Sequence, residues 1–592
     1  MSIRDSLYKE RIELYQSKIR ITSRRLNFIA LLRMIVFVIL AISIYSFTKN
    51  HILFFLAAGL CLTGIFILML RINFRIRDKK LLYEQLLFIN TNELGMLIHQ
   101  PNQFENGKQF QESEKYFDDL DIFGAGSIFH LLNRATTSHG KEQLASLLKQ
   151  PLIEKEDIER YQHAVKILSD DIEKRQSLTA HGLLHEEKEG NLHSISAWLS
   201  TDNQLHRKKW LLILRWLLPL YNLLATYYLF AMDTYLPIII GGIASWTLLS
   251  FFGKYINQQH LLISKKQQVL DQYRAILQIF NTVETGLSEY LLQLQKTSIN
   301  ANHAIHKLSR LSRFFDQRLN LIINFFGNGL FLYDIHIMIA LENWKEKNNI
   351  LFPQWVNCVG SIEYLNSIAG FAFNNPNYTY PSVNTEKVFI EARQVAHPLI
   401  PEEKRVVNDF TLGKNEKFQL ITGSNMSGKT TFLRTIGVNL LLAQCGSPVC
   451  ASSFTFTPMN LLSSIRISDS LQENTSYFMA ELKRLEQIVV QLQNGRPALV
   501  LIDEILRGTN SEDKTHGSEQ FIRKLLKYNC LALFATHDLN LSKLETEMPE
   551  LISNYCFESI IQKEELYFDY TLQKGVAKNK NASFLMQKMG II

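Results

Sequence analysis

Four stretches of the chain are apolar with a single charge among them, Arg33: residues 26–47, 52–70, 216–232 and 236–252. Each comes close to the roughly 20 apolar residues with which a helix crosses a bilayer core of about 30 Å. They fall in two pairs, each joined by a short polar turn, and so predict two helical hairpins, with Arg33 placed near headgroup level. Tyr227, Tyr228, Tyr235 and Trp246 in the second pair are of the type that anchors at membrane interfaces. The competing reading is buried helices inside a large α-helical body. Between and after the hairpins, about 77–209 and 255–341, leucines recur at three- and four-residue steps among many charges, which predicts soluble helices. Leu270, Tyr273, Leu277 and Phe280 mark one such face. Turn chemistry in Phe373-Asn374-Asn375-Pro376-Asn377-Tyr378-Thr379-Tyr380-Pro381 closes the helical part. From about 386 onward β-type runs alternate with helical ones, as an α/β nucleotide-binding domain requires.

At 592 residues the chain is long enough for roughly three to four domain-sized units. The pattern divides it into an N-terminal segment with the first hairpin (1–80), a helical core (81–209), the second hairpin (210–254), a second helical core or lever (255–385) and an α/β domain (386–592). The formal charge of +7 is mild and does not by itself imply nucleic acid. Its distribution is more informative. Arg24, Arg25, Arg71, Arg75, Arg77, Lys79 and Lys80 flank the first hairpin, with Lys49 and His51 at its tip. Arg207, Lys208, Lys209, Arg215, Lys254, Lys265 and Lys266 flank the second, with Asp233 at its turn. The positive-inside rule then loops both hairpins outward from an inner (cytoplasmic) membrane and leaves both termini and the α/β domain in the cytosol. No cleavable signal peptide is expected, since residues 1–25 are charged and no small-residue cleavage site follows. The six cysteines form no CxxC pair, which predicts reduced thiols. Cys445 and Cys450 are assigned to core packing and not to a metal.

The chemistry is concentrated in the last domain. Gly423-Ser424-Asn425-Met426-Ser427-Gly428-Lys429-Thr430 has P-loop spacing and lies between a strand-like run, 418–422, and a helix-like one bearing Phe432, Leu433, Ile436, Leu440 and Leu441. Glycines at both ends let backbone N–H groups converge on phosphates, Lys429 reaches the β- and γ-phosphates, and the Thr430 hydroxyl can ligate Mg²⁺. Thr431 completes the set of candidate nucleotide contacts. The apolar run 498–502 ends in Asp503-Glu504, as a Walker B strand does. Asp503 is the candidate Mg²⁺ group and Glu504 the candidate base for water, against the plain alternative of an ordinary strand ending in acids. A second apolar run, 530–536, ends in His537, either a structural histidine or one that reaches a γ-phosphate.

Taken together, the P-loop with its asparagine-methionine pair, Asp503-Glu504-Ile505-Leu506-Arg507-Gly508-Thr509 and Phe534-Ala535-Thr536-His537 resemble the MutS family of DNA mismatch-repair ATPases. Gly126-Ser127-Ile128-Phe129-His130-Leu131-Leu132-Asn133-Arg134-Ala135-Thr136-Thr137 resembles the start of that family's helical core, and His397-Pro398 with Asn408-Asp409 resembles the approach to its ATPase domain. The resemblance implies a P-loop ATPase domain on an all-α core and lever, ATP and Mg²⁺ as cofactors, and a homodimer. In it, Ser476, within Ser476-Tyr477-Phe478-Met479-Ala480-Glu481, reaches the nucleotide held by the partner; a helix N-cap role for Ser476 is compatible. Ser427 and Leu506 stand where the family usually has glycine, and Asn474-Thr475 where it commonly has glycine-arginine. The family's mismatch-reading domain, with its phenylalanine wedge and glutamate, has no counterpart before residue 119, and Phe104-Glu105 is a bare dipeptide. DNA is the implied polymer, and His303, His306, Lys307, Arg310, Arg313 and Arg318 are the candidate phosphate surface, or a face toward anionic lipid. Two other functions compete: a membrane scaffold or clamp ATPase acting on a protein partner, and an ABC-type transporter, which the missing Leu-Ser-Gly-Gly-Gln signature argues against.

Overall fold

The computed structural model describes residues 3–50, 53–111, 116–184, 191–264, 266–466, 477–506, 510–562 and 565–578. The two apolar pairs are helical hairpins, but their helices run well beyond the apolar stretches: Ile3–Asn50 with Leu53–Leu97, and Lys209–Met232 with Leu236–Ile263. All four are long and apolar enough to cross a membrane. Their upper parts keep large apolar side chains exposed, Phe37, Phe54 and Leu60 in the first hairpin and Leu223 and Phe230 in the second.

The charged stems of the first hairpin are built into the helical body. Tyr8, 1% exposed, donates to Asn374 Oδ1 at 2.8 Å, and Asn90 and Gln176 exchange amide hydrogen bonds at 2.9 and 3.0 Å. Arg134 forms a buried bidentate pair with Glu93, Nε to Oε1 at 2.7 Å and Nη2 to Oε2 at 2.9 Å. At the centre of the body lies helix Phe352–Asn374, which is apolar on nearly every side and buried accordingly. Its Glu363 carboxylate is buried and accepts the Thr136 hydroxyl and the Thr136 and Thr137 backbone N–H groups; burial raises its pKa. One continuous apolar core runs from this helix into the α/β domain. Tyr364 donates to the Cys445 carbonyl at the end of helix Lys429–Gln444, and Gln444 and Leu152 are joined backbone to backbone at 3.2 Å.

The α/β domain has ten strands among the described residues: β1 Ser382–Val383, β2 Ile390–Val395, β3 Asn408–Leu412, β4 Phe418–Gly423, β5 Ser453–Phe456, β6 Asn460–Ser464, β7 Ala498–Asp503, β8 Cys530–Thr536, β9 Ile552–Gln562 and β10 Glu565–Lys574. They form a mixed four-stranded sheet, β1-β5-β2-β3, and a six-stranded sheet, β10-β9-β4-β8-β7-β6, parallel except for β10. Every residue of β4, β7 and β8 is buried, the mark of parallel strands covered on both faces. The four-stranded sheet goes beyond the single α/β alternation that the sequence predicts.

One segment departs from expectation. The sequence predicts continuous soluble helices over 255–341, yet after helix Glu289–Asp316 the chain breaks into a 3₁₀ turn, a π-helical turn Ile323–Gly327 and the short helix Asn328–Phe331. It then bends by 80° into Tyr333–Asn348. The bend is made at Leu332, whose φ of 51° ends one helix and starts the next.

Candidate functional site

Adjacent strands β4, β8 and β7 deliver the candidate groups to one edge. The P-loop leaves the C-terminal end of β4, His537 follows β8, and Asp503-Glu504 closes β7, so the three motifs meet where a parallel sheet opens a crevice. A cavity of about 680 Å³ lies there, lined by Asn425 to Thr431, Asp503, Glu504 and His537. Gly423 and Ser424 stand behind it: their carbonyls accept the Lys429 ammonium at 2.9 Å each. The turn into helix Lys429–Gln444 is made by Gly428 at φ 106°, and a Cβ there would come within 3.0 Å of the Tyr570 ring.

The polar groups converge tightly. Thr430 donates its hydroxyl to Asp503 Oδ2 at 2.5 Å, bringing together two hard oxygen donors of the kind that suit Mg²⁺. Lys429 Nζ lies 3.4 Å from His537 Nε2, which is 3.6 Å from Glu504 Oε1. Burial first, and then the Lys429 charge, lower the His537 pKa, with Glu504 and Asp503 pulling the other way. Glu504 takes φ 50°, an uncommon conformation for a non-glycine residue. The two departures from glycine behave differently. Ser427 is buried and is not among the residues with positive φ, so serine is accommodated; Leu506 takes φ 59°, a position where glycine would be unstrained.

Several cavity residues are not singled out as site residues by the sequence: His397, Lys404, Arg405, Phe557 and Tyr570. His397-Pro398 carries a signal only through family resemblance. Tyr570, in a segment 570–575 that resembles the closing elements of the family's ATPase domain, has no spacing signal for the site, because it reaches the P-loop through a break in the β9–β10 register between Phe568 and Leu572. His397 is held neutral, its pKa pushed down to about 4 by burial and then by Arg434. Ser476 lies outside the described residues, as do Asn474-Thr475 and Arg507-Gly508-Thr509. Of the candidate basic surface, His303, Lys307 and Arg310 lie exposed along one helix. Arg313 is paired with Asp271 at 3.2 Å, and Arg318 lies beyond the helix, paired with Asp334 at 2.9 Å.

Residues 110–494 match the family model for MutS domain III, and residues 419–589 that for MutS domain V. Over 207 residues, 34% of this chain, the sequence is 32% identical to the DNA mismatch repair protein MutS of Thermotoga maritima and to that of Thermotoga sp. (strain RQ2). The alignment covers 25% of each, so the chain spans about a quarter of the length of these relatives. With domain V carrying the P-loop crevice and domain III extending over most of the helical body, the chain belongs to the MutS family.

Proposed function

We propose that the chain is a membrane-anchored MutS-like ATPase that binds and hydrolyses ATP at a composite site shared by two copies. The observation that carries this reading is the convergence of Lys429, Thr430, Asp503, Glu504 and His537 on one cavity. Lys429 exchanges its loop carbonyls for the β- and γ-phosphates, and the P-loop N–H groups and helix N-terminus hold the rest of the anion. Thr430 and Asp503 would hold Mg²⁺, which when bound neutralises charge on the phosphates. Glu504 orients and deprotonates the attacking water, and His537, whose proton is disfavoured by partial desolvation and by the Lys429 charge, senses the γ-phosphate. Ser476 of each copy completes the site of the other.

In this proposal both hairpins cross an inner membrane, with the termini and the ATPase on the cytosolic side, and the domain limits follow the five-part division of the chain. The stems of the first hairpin support the anchoring role, since they tie the membrane segment to the same body that packs against helix Lys429–Gln444. DNA is the proposed polymer, met by the exposed line His303, Lys307 and Arg310; reading of mismatches is not part of the proposal.

Mixing two inactive variants tests the composite site. Lys429→Ala and Ser476→Ala, combined as subunits, should restore about a quarter of the wild-type sites, because half of random dimers are mixed and each holds one intact site. A monomeric ATPase gives no recovery. Retention of detergent-solubilised protein on immobilised DNA, weakening as salt rises and changing with ATP, tests the polymer; no retention at low salt transfers the clamp to a protein partner.

A further inference from the structure

The broken segment between helices Glu289–Asp316 and Tyr333–Asn348 is an apolar finger. Leu319, Leu321, Ile322, Phe325, Phe326 and Phe331 are each exposed by half or more of their surface, a patch far more apolar than a water-facing turn ordinarily carries. We infer that residues 319–331 form a re-entrant element that enters the inner leaflet beside the second hairpin, with lipid acyl chains covering its outer face. The inference rests on the reading of that hairpin as membrane-spanning.

The finger runs alongside the lower half of the second hairpin. At the base, His336 Nε2 meets the Arg215 carbonyl at 2.9 Å. At the top, the Asn222 amide reaches the carbonyls of Gly329 and Leu330 at 3.2 and 3.1 Å. Asn222 lies seven positions after Arg215, so the finger rises about 10 Å along that helix before turning back, less than one leaflet. Phe325 lies against Trp246, ring centroids 6.4 Å apart, so its apolar surface is continuous with the flank of the hairpin.

The backbone of the bend is also satisfied by protein. A chain that bends inside lipid leaves carbonyls without helical partners, and such breaks are tolerated only where protein groups satisfy them. Asn222, fully buried in the middle of an apolar helix, has its amide on the two carbonyls next to the bend and on Ser245 Oγ at 3.1 Å. A polar residue at that depth is costly unless it has this kind of work to do. Gly241 makes room for it, since a Cβ there would sit 1.9 Å from Asn222 Oδ1.

The helix beyond the bend excludes a complete fifth crossing. Helix Tyr333–Asn348 buries Asp334, Glu342 and Lys345 against protein, and Glu342 accepts the backbone N–H groups of Gln204 and Leu205 at 2.9 and 3.0 Å. The Arg318–Asp334 pair and the Tyr333 hydroxyl on the Phe314 carbonyl, at 2.9 and 2.5 Å, close the base of the finger at the body. Between Gln317 and Asn348 the exposed large apolar side chains all lie in the finger, and these are what this segment presents to lipid.

Spin labels on Leu321→Cys and Phe325→Cys, made separately in a Cys61→Ser background, test this with the full chain in phosphatidylethanolamine–phosphatidylglycerol vesicles. Leu223→Cys, on the exposed flank of the hairpin, and Lys307→Cys, on the basic helix, are the references. Collision with oxygen should exceed collision with a water-soluble nickel chelate at 321 and 325 as it does at 223, reversing the order found at 307. Aqueous behaviour at 321 and 325 with 223 in lipid overturns the finger alone; aqueous behaviour at all of them removes the membrane reading beneath it. Labels shielded from both reagents mean that another protein covers the finger, which also overturns the inference.

Discussion

The buried carboxylate of Glu481 accepts the backbone N–H of Leu506 at 2.7 Å, fastening helix Tyr477–Leu492 to the loop just past Asp503-Glu504. The helix follows directly on Ser476, so the segment proposed to reach a partner's nucleotide and the loop that sets the candidate base share one hydrogen bond. Glu481→Ala leaves a buried N–H without its acceptor and should cost about 1–3 kcal/mol of stability. Glu481→Gln keeps an oxygen in place and should cost less. Unfolding midpoints of the two variants check the order, and equal losses would assign the effect to packing and not to the bond.

Leu506 itself weighs two effects against each other. Its φ of 59° costs about 1–2 kcal/mol in a residue with a Cβ. Its side chain is 9% exposed and packs so closely on Gly517 that a Cβ there would lie within 2.4 Å, and removing a buried leucine costs about 2–5 kcal/mol. Packing wins, so Leu506→Gly, the residue usual in the family, should destabilise this chain by about 1–3 kcal/mol. A raised melting temperature would show that strain dominates instead.

Glu504→Ala removes the candidate base while leaving Lys429, Thr430 and the P-loop in place. ATP binding should persist and turnover fall by about 10²–10⁴-fold, the range for a lost general base. Retention of a fluorescent ATP analogue, read beside phosphate release, separates the two. Wild-type turnover in the variant would remove Glu504 from the chemistry.

How much of the fold and site is legible in the sequence depends on how local the signal is. The P-loop, β7 and β8 each announce themselves within ten residues, because a buried parallel strand must be continuously apolar and its chemistry must sit at its end. Tyr570 and Glu481 come to the site through a β-register break and a long-range carboxylate contact, which no spacing rule encodes. The finger at 319–331 escapes a sequence reading for a related reason. Its apolar run is short and flanked by Arg318 and Asp334, so it reads as helix core until the bend at Leu332 turns it outward. The first hairpin is legible as an apolar pair, but its docking through Glu93 and Tyr8 onto the body is not.

That docking has a measurable energy. Glu93 and Arg134 are 6% and 5% exposed, and Asn374 also donates to Glu93 Oε2 at 2.6 Å. Glu93→Ala strands the Arg134 charge and should cost about 3–5 kcal/mol, whereas the double variant Glu93→Leu with Arg134→Met should recover much of the loss. Limited proteolysis of the stem next to the body reports whether the hairpin has come loose. Additive losses in the double variant would deny that the two groups act as a pair.

Acid should weaken the chain through His397. Folded, its imidazole titrates at about 4, below the 6.5 of an unhindered histidine, because burial and then Arg434 oppose the proton. Above pH 6.5 both folded and unfolded states are neutral there and His397 has no effect. Between 6.5 and 4 the unfolded chain takes up the proton first, so stability falls as pH falls, reaching a loss of about 3 kcal/mol below pH 4. His397→Asn keeps an acceptor for the Leu399 N–H, which His397 Nδ1 receives at 3.3 Å, but carries no titrating group. Denaturant midpoints of the detergent-solubilised protein measured from pH 7 to pH 4 should therefore fall less steeply in the variant. Parallel curves would place the acid sensitivity elsewhere in the fold.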